Sequence, residues 1–436
     1  MANKFVNPWF WVPTLYFAEG VPYFLVNQIS VAMFTTLGVP NDSMAFFTSL
    51  IYLPWVIKPF WAPFVDIIRT KRWWIIAMEA VMAVTMILTV LSIPHPSLEM
   101  MAAMSTPVKL FYLTLVWFII MAFASATHDI AADGFYMLAL VPGEQAEMIG
   151  WRSVFYRLSN VFCNSALVAI PGLLVARGMT MTRGWQATML ISAVLYAAVT
   201  IWHFFFTPKP DSDKPAVNAS AKDIGRGFFS AFASFFVKPG IWLAICFMLL
   251  YRLPEAFLLK MVAPFLLGAP EHGGMSMSLQ TYGVVYGVIG VCFLLLGGIL
   301  GGIFISRVGL KKSLWWMAAS MTLPCLSFVY LSEFMPESLV LISIAVAIEQ
   351  FGYGFGFTAY MLYLVYVSEG EFKTSHYALC SGFMALSMML PGMIAGKLQL
   401  SLGYVGFFWM VIACCAATIL VTFFVDRRIP KDYGKK

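Results

Sequence analysis

Three ionisable residues, His128, Asp129 and Asp133, lie inside an otherwise apolar stretch of the sequence. Asp129 and Asp133 are four positions apart, so on a helix their carboxylates share one face. A carboxylate at the centre of a bilayer costs about 2.5–3.5 kcal/mol on insertion scales, unless it meets a partner or water. A carboxylate that gains and loses a proton there is the chemistry that a proton-coupled carrier needs.

Further ionisable and polar residues lie in similar apolar stretches. We expect Asp129 or Asp133 to face Arg157, whose charge would stabilise the ionised carboxylate. Cationic side chains would attract a solute carboxylate, and amides would bond hydroxyl and acetamido groups. The candidates for proton coupling are Glu19, Asp129, Asp133, Glu255 and Glu349. The candidates for substrate binding are Asn27, Gln28, His128, Arg157, Asn160, Arg252, Lys260, Gln350 and Tyr353.

Several of these residues also have a plainer interpretation. Arg252 and Glu255 are three positions apart and could pair along one helix. Lys260 could extend its ammonium group to the membrane surface. His128 could relay protons or bond a neighbour's backbone. Aromatic residues within apolar stretches, such as Tyr353, more often pack in a core than bind a sugar.

A short basic turn occurs at residues 66–72 and again at 306–312. The similar position of the two turns indicates a faint internal repeat. We predict a conformational latch from charged residues of these turns, Asp66, Arg69 and Arg307, together with Arg152 near the cytoplasmic end of its helix. Asp133 and Arg152 could equally form a gate or a packing clamp.

The elements that position these residues are long apolar segments. The chain has 436 residues, of which 61% are hydrophobic and 11% are charged. Soluble proteins carry about 25% charged residues, so a soluble domain is excluded. Runs of about 20 apolar residues predict an all-α polytopic membrane protein with twelve transmembrane helices. The expected spans are 9–37, 44–66, 73–93, 108–137, 150–176, 186–206, 240–267, 281–306, 312–332, 338–367, 374–401 and 404–425.

A long polar segment separates the sixth span from the seventh. We therefore predict an N-terminal six-helix bundle over 1–206, a cytoplasmic linker over 207–239 and a C-terminal six-helix bundle over 240–436, around a central cavity. Lysine and arginine concentrate in alternate loops, which places both termini and the linker in the cytoplasm. The net charge of +6 indicates topology and not nucleic-acid binding.

Other sequence patterns indicate packing. Glycine runs at 297–302 and 352–356 predict surfaces for close helix contact. Prolines within the spans predict kinks. The seven cysteines lie in apolar runs without a CxxC pair, so we expect them to pack in the core and to form neither a disulfide framework nor a metal site. We also expect no cofactor.

The layout of two sets of six helices, with basic turns after spans two and eight, resembles the major facilitator superfamily. Five stretches look more specifically like the AmpG-type muropeptide permeases of the peptide and acetyl-coenzyme A transporter group. That group usually has a glutamine-like residue where His128 stands, and lysine and aspartate where Arg252 and Glu255 stand. The resembling stretches are 17–22, 124–133, 156–158, 251–257 and 377–379.

This resemblance implies a major facilitator fold in which helices one, four, seven and ten line the cavity. It also implies proton-driven import of anhydro-muropeptides across the cell inner membrane, and a smaller amino sugar or another solute stays open. The implied partners are a small-molecule substrate, protons and the lipid bilayer, and we expect a monomer.

Two other functions compete with import. A drug exporter of the same superfamily would have a more hydrophobic cavity. A membrane-embedded acyltransferase could use His128 and Asp129, but a His-Asp dipeptide is a weak signal and an enzyme has no use for two similar halves. We therefore expect a transporter and no enzyme.

Overall fold

The computed structural model describes residues 7–95, 107–214, 221–370 and 372–435, and the regular structure in this part is helical without strands. Twelve membrane helices, α1–α12, follow the predicted spans to within a few residues at most ends. Those of the first half are α1 (Val12–Phe24, a π-helical segment Leu25–Ile29 and Ser30–Thr36), α2 (Asn41–Leu50, Leu53–Ile57, a 3-10 turn Lys58–Phe60 and Ala62–Ile67), α3 (Lys71–Ser92), α4 (Tyr112–Ala139, after a 3-10 turn Pro107–Phe111), α5 (Pro142–Val161, a π-helical segment Phe162–Leu167 and Val168–Val175) and α6 (Met181–Phe206).

The second half repeats the count of six. Its helices are α7 (Ile241–Leu250 and Leu253–Leu267), α8 (Leu279–Tyr282, a π-helical segment Gly283–Gly290 and Val291–Val308), α9 (Leu310–Thr322, a 3-10 turn Leu323–Cys325 and Leu326–Phe334), α10 (Leu339–Ser368) and the continuous run Lys373–Asp426 that contains α11 and α12. Gly403 has a φ of 66° and divides that run into α11 (373–402) and α12 (404–426). A linker helix, Ala221–Phe236, lies within the predicted linker, of which residues 215–220 fall outside the described part.

Length and hydropathy alone identify nine continuous helices that could cross a membrane in the described chain. One of them is the joined run of α11 and α12, and α1 and α2 are too interrupted to be counted. The prediction of an all-α membrane protein with twelve spans is confirmed. The interruptions in α2 come from Pro54, Pro59 and Pro63, since proline lacks the N–H that a continuous helix requires.

The chain folds as two compact units. The first contains residues 1–33 and 57–227, with a core around Trp11, Leu15 and Phe135. The second contains residues 34–56 and 228–436, so the end of α1 and the start of α2 pack with the second unit. The domain boundaries drawn from the linker stay a prediction.

Within the second unit, α10 packs closely between α8 and α9 through its glycines. A Cβ atom added at Gly354 would collide with the Leu294 carbonyl oxygen of α8. One added at Gly352 would collide with the Ser320 carbonyl oxygen of α9. The close packing predicted from the glycine runs is therefore present, and it depends on the missing side chains.

Gly354→Ala should destabilise the protein by about 1–3 kcal/mol, because the added methyl group forces α8 and α10 apart. Gly302→Ala is the matched control, since a Cβ atom at Gly302 meets nothing within 4 Å. Both changes add the same helix propensity, so the difference in melting temperature of the two purified variants isolates the packing effect. Equal melting temperatures would show that the glycine contact does not limit stability.

Candidate functional site

The first unit contains an ion pair between Lys58 and Asp129. Lys58 begins the 3-10 turn that interrupts α2, and Asp129 lies in α4. The Lys58 Nζ atom is 2.5 Å from Asp129 Oδ2, with the side chains 21% and 18% exposed. The sequence placed Arg157 opposite Asp129 or Asp133, but in the structure Lys58 takes that position at Asp129. Lys58 was absent from the predicted site; the signal that could have found it is a lysine in an apolar span rich in proline.

Glu19 of α1 joins this pair. Its carboxyl group lies within hydrogen-bonding reach of the Asp129 carboxylate. Two carboxyl groups can form such a bond only when one of them carries a proton. The second Glu19 oxygen, Oε2, is buried without a hydrogen-bond partner in the described chain. Glu19, Lys58 and Asp129 thus form a cluster, here called the Lys58 cluster, that holds two acids, one base and a place for one proton.

Asp133 lies one turn after Asp129 and has a different cation. The Arg152 Nη2 atom is 2.6 Å from Asp133 Oδ1, and the Tyr16 hydroxyl donates to the same oxygen at 3.2 Å. The Arg152 guanidinium also lies 4.4 Å from the Tyr16 ring centre and 5.1 Å from that of Tyr136. At 29% and 46% exposure, this pair is more open than Lys58–Asp129. Arg152 therefore ties α5 to α4 and α1.

Polar amides meet where α1 and α5 become π-helical. Asn164 Nδ2 donates to Gln28 Oε1 and to Asn160 Oδ1, each at 2.5 Å. Asn27 Nδ2 donates to its own helix at the Tyr23 carbonyl, 3.1 Å away, and leaves Oδ1 buried and without a partner in the described chain. π-Helical turns often occur at functional sites. The structure thus brings together Gln28 and Asn160 of the predicted binding residues, and Arg157 lies half-buried one turn earlier on α5.

The structure places His128 inside the first unit, 1% exposed, with Nε2 3.2 Å from Glu79 Oε1. His203 of α6 contacts the same carboxylate oxygen. Neither Glu79 nor His203 was among the predicted site residues. This placement favours a contact among helices over contact with a solute; substrate binding by His128 stays a prediction.

In the second unit, Arg252 lies where α7 is interrupted, before Leu253. Its Nη2 atom donates to the Tyr353 hydroxyl at 2.7 Å. The guanidinium is 4.6 Å from the Phe357 ring centre and 5.6 Å from that of Tyr360. Aromatic faces stabilise a cation without neutralising it. Arg252 and Tyr353, both predicted to bind substrate, are thus in direct contact.

Two buried acids follow in the same unit. Glu255 and Glu349 are close enough to interact electrostatically, and Arg252 also acts on Glu255. Gln350 Nε2 donates to Glu349 Oε2 at 2.8 Å. One oxygen of each acid, Oε1, is buried without a hydrogen-bond partner in the part of the chain that the structure describes. Each of these acids therefore has one oxygen that can take up a proton.

Lys260 is buried in the second unit. Its Nζ atom donates to the Thr48 hydroxyl at 3.1 Å and lies 5.8 Å from the Tyr52 ring centre. Both neighbours belong to the segment 34–56 that packs with this unit. Lys260 therefore helps to hold that segment, and its role in binding substrate stays a prediction.

The predicted latch is only partly described. The Asp66 side chain lies outside the described part, the Arg69 guanidinium lies 5.8 Å from the Trp73 ring centre, and Arg307 is in the last turn of α8. The turn before α3 is held instead by Asp213, whose carboxylate accepts from the backbone N–H groups of Lys71 and Arg72 at 2.7 and 3.0 Å.

The corresponding turn of the second unit has a similar support. There, the Leu310 N–H at the start of α9 donates to the Tyr433 carbonyl oxygen at 2.8 Å. In both units, a segment that follows the sixth helix binds the start of the third. This parallel supports the internal repeat. In the sequence, only the basic residues of the two turns indicated that repeat.

Ion pairs and amides buried among membrane-spanning segments are the features expected of a membrane transport protein. The chain belongs to the major facilitator superfamily, whose family model matches residues 14–372. It is therefore a multi-pass membrane transporter of a small-molecule substrate and not an enzyme.

Two relatives extend over nearly the whole chain. The "Putative transporter AmpG 4" of Rickettsia felis is 25% identical over 92% of this chain and 90% of its own length. The "Anhydromuropeptide permease" of Escherichia coli is 23% identical over 93% of this chain and 77% of its own length. The resemblance to AmpG-type permeases is confirmed.

Solved structures agree on the fold. A D-xylose-proton symporter superposes with a TM-score of 0.67 at 12% identity, covering 98% of each chain. The nucleoside transporter NupG superposes with a TM-score of 0.65 at 16% identity, covering 96% of this chain and 98% of its own. These likenesses establish the major facilitator fold.

Lys58→Met should destabilise the protein by more than the ~1 kcal/mol of an exposed pair and less than the ~3–5 kcal/mol of a fully buried one. The reason is that Asp129 then keeps its charge without a cation. The double variant Lys58→Met/Asp129→Asn removes both charges and should recover most of the loss. The coupling energy follows from denaturant unfolding, in detergent, of the wild type, the single variants Lys58→Met and Asp129→Asn, and the double variant.

The same cycle at the more exposed pair, Arg152→Met with Asp133→Asn, is the control. A coupling energy at Lys58–Asp129 no larger than at this control would show that the Lys58 cluster is not under special electrostatic constraint.

Proposed function

We propose that this protein is a proton-coupled secondary transporter that imports anhydro-muropeptides, or related amino-sugar and glycopeptide fragments, across the cell inner membrane. It works by alternating access as a monomer, with two six-helix domains around a central cavity, both termini in the cytoplasm and no nucleic-acid partner. The observation that carries the proton coupling is the Lys58 cluster, in which Asp129 pairs with the Lys58 ammonium group and lies within hydrogen-bonding reach of the Glu19 carboxyl group.

The cluster suggests how a proton acts. With one proton on the acids, Glu19, Asp129 and Lys58 together carry no net charge, which lowers the cost of burial. A second proton, placed on Asp129, neutralises the partner of Lys58 and weakens the contact between α2 and α4. Loss of that proton restores the ion pair. Protonation thus favours one arrangement of these helices and deprotonation the other, which is the requirement for coupling.

The proposed contacts with the solute follow from charge and hydrogen-bonding capacity. Arg157 and Arg252 attract a lactyl or peptide carboxylate, because arginine presents a planar fork of donors. The Asn27 oxygen accepts from a sugar hydroxyl or an acetamido N–H. Gln28, Asn160, Gln350 and Tyr353 complete the polar surface. In the second unit, Glu255 and Glu349 offer further places for a proton.

The substrate class rests on the relatives. The Escherichia coli relative is named as an anhydromuropeptide permease, and the match extends over 93% of this chain. At 23% identity the size and peptide content of the solute are open. The uptake assay should therefore include the anhydro-sugar both without and with its peptide.

Wild-type protein in sealed liposomes should accumulate a radiolabelled anhydro-muropeptide when the outside is more acidic. One pH unit supplies about 1.36 kcal/mol, hence about tenfold accumulation for one proton per solute. Asp129→Asn should accumulate none yet still exchange labelled for unlabelled solute, because exchange needs no net proton movement. Glu147→Gln, which removes an exposed acid from α5, is the control and should behave as wild type.

Two outcomes would contradict the proposal. Wild-type accumulation by Asp129→Asn would exclude Asp129 from the coupling. Failure of the wild-type protein to move muropeptides and amino sugars, together with drug resistance on expression, would favour the exporter.

A further inference from the structure

A second group of titratable side chains lies inside the first unit, apart from the Lys58 cluster. Glu79 of α3 accepts with one oxygen, Oε1, from His203 Nδ1 at 2.6 Å and from His128 Nε2 at 3.2 Å. The side chains of Glu79 and His203 are 0% exposed, and that of His128 is 1% exposed. These three residues, here called the Glu79 triad, join α3, α4 and α6.

A residue of α1, Thr14, also contacts the triad through His203. The Thr14 hydroxyl is 2.9 Å from His203 Nε2 and 3.1 Å from the Trp11 carbonyl oxygen. A hydroxyl has one proton to donate. If it donates to Trp11, it accepts from Nε2–H and His203 is a cation. If it donates to Nε2 instead, His203 is neutral. The Thr14 hydroxyl can therefore satisfy His203 in either protonation state by a rotation of one hydrogen.

The net charge of the triad depends on whether one of its imidazoles carries a proton. A carboxylate with neutral partners in a dry interior carries an uncompensated charge, which is costly. The other oxygen, Glu79 Oε2, is buried without a hydrogen-bond partner in the described chain. One proton on either imidazole converts the triad into an internally neutral ion pair.

The triad is electrically linked to the Lys58 cluster. His128 acts on its neighbour Asp129. Tyr196 of α6 is influenced by both Glu79 and Glu19, and its hydroxyl donates to the Ala18 carbonyl oxygen at 2.8 Å. The other titratable or charged residues described on the helices packed around the triad are Tyr16 and Tyr23 on α1, Lys71 and Arg72 on α3, Tyr112, Asp133 and Tyr136 on α4, and Arg183 on α6.

We propose that Glu79, His128 and His203 form a second proton-binding site, whose bound proton resides on an imidazole and whose occupancy acts on Asp129 through His128. Proton binding by the triad does not require the proposed function, and only its role in transport rests on it. The site differs from the Lys58 cluster, which binds its proton on carboxyl groups.

Nitrogen-15 NMR of the histidine rings tests the proposal without a substrate, since it distinguishes an imidazolium from each neutral tautomer. The chain has only five histidines, so single His→Gln variants assign every signal. In wild-type protein in lipid nanodiscs, one ring of the triad should show the imidazolium signal and lose it as the pH is raised. Both rings neutral, or one ring charged, at every pH would overturn the proposal and leave the triad a structural contact.

Glu79→Gln keeps the shape of the side chain and removes the counter-charge. It should abolish the imidazolium signal over the pH range where the wild type shows it. His376 is the internal control, because it is buried in the second unit against the Ser234 hydroxyl and the Ala231 carbonyl oxygen and has no carboxylate partner among the residues that the structure describes. Its signal should be unaffected. An imidazolium that persists in Glu79→Gln, or an equal change at His376, would contradict the assignment.

His203→Gln gives the test in transport, with His376→Gln as its control. Proton-driven accumulation by His203→Gln should fall severalfold and its pH profile should change, with exchange retained. A normal pH profile would overturn the link to transport. If the NMR transition is present but the wild-type protein moves no solute with protons, the proton site stands and the proposed function fails.

Discussion

The contact between Lys58 and Asp129 is the interaction on which the first unit depends. Each charge alone would be costly inside a membrane, and together they are tolerable. Glu19 adds a second acid, so the number of protons in the cluster decides whether it is balanced. The helices that carry these residues are thus stabilised by an electrostatic condition that changes with protonation. Under the proposed function, this dependence is what a proton-coupled transporter requires and what a bundle held only by apolar packing lacks.

Irregular backbone occurs where the polar side chains are needed. Lys58 begins a 3-10 turn, Arg252 precedes the second segment of α7, and Asn27 and Gln28 lie in a π-helical segment. Interrupted helices expose backbone groups that protein or water must satisfy, so in membranes they are confined to the interior. The prolines that cause several of these breaks therefore serve the same end as the charges. They interrupt the helix near positions that carry a cationic or amide side chain of the candidate site.

Hydropathy was sufficient to predict the twelve spans, because each apolar run must cross the bilayer as a helix. The spacing of Asp129 and Asp133 likewise predicted their shared face. Their partners could not be predicted, since they depend on the rotation and height of neighbouring helices. Thus Lys58 and not Arg157 meets Asp129, and Glu79 and not a backbone group meets His128. Asp213 was missed for a similar reason, because a loop carboxylate reveals nothing about the distant helix start that it caps.

Proton flux driven by the solute is the most direct test of the account. The assay uses sealed liposomes that contain a pH-sensitive dye, with anhydro-muropeptide more concentrated outside than inside and no imposed pH gradient. Their interior should acidify as protons enter with the solute. Asp129→Asn should let the interior stay at its starting pH, while solute exchange continues. Internal acidification by Asp129→Asn at the wild-type rate, or solute entry into wild-type liposomes without any proton movement, would contradict the claim that the Lys58 cluster couples the two.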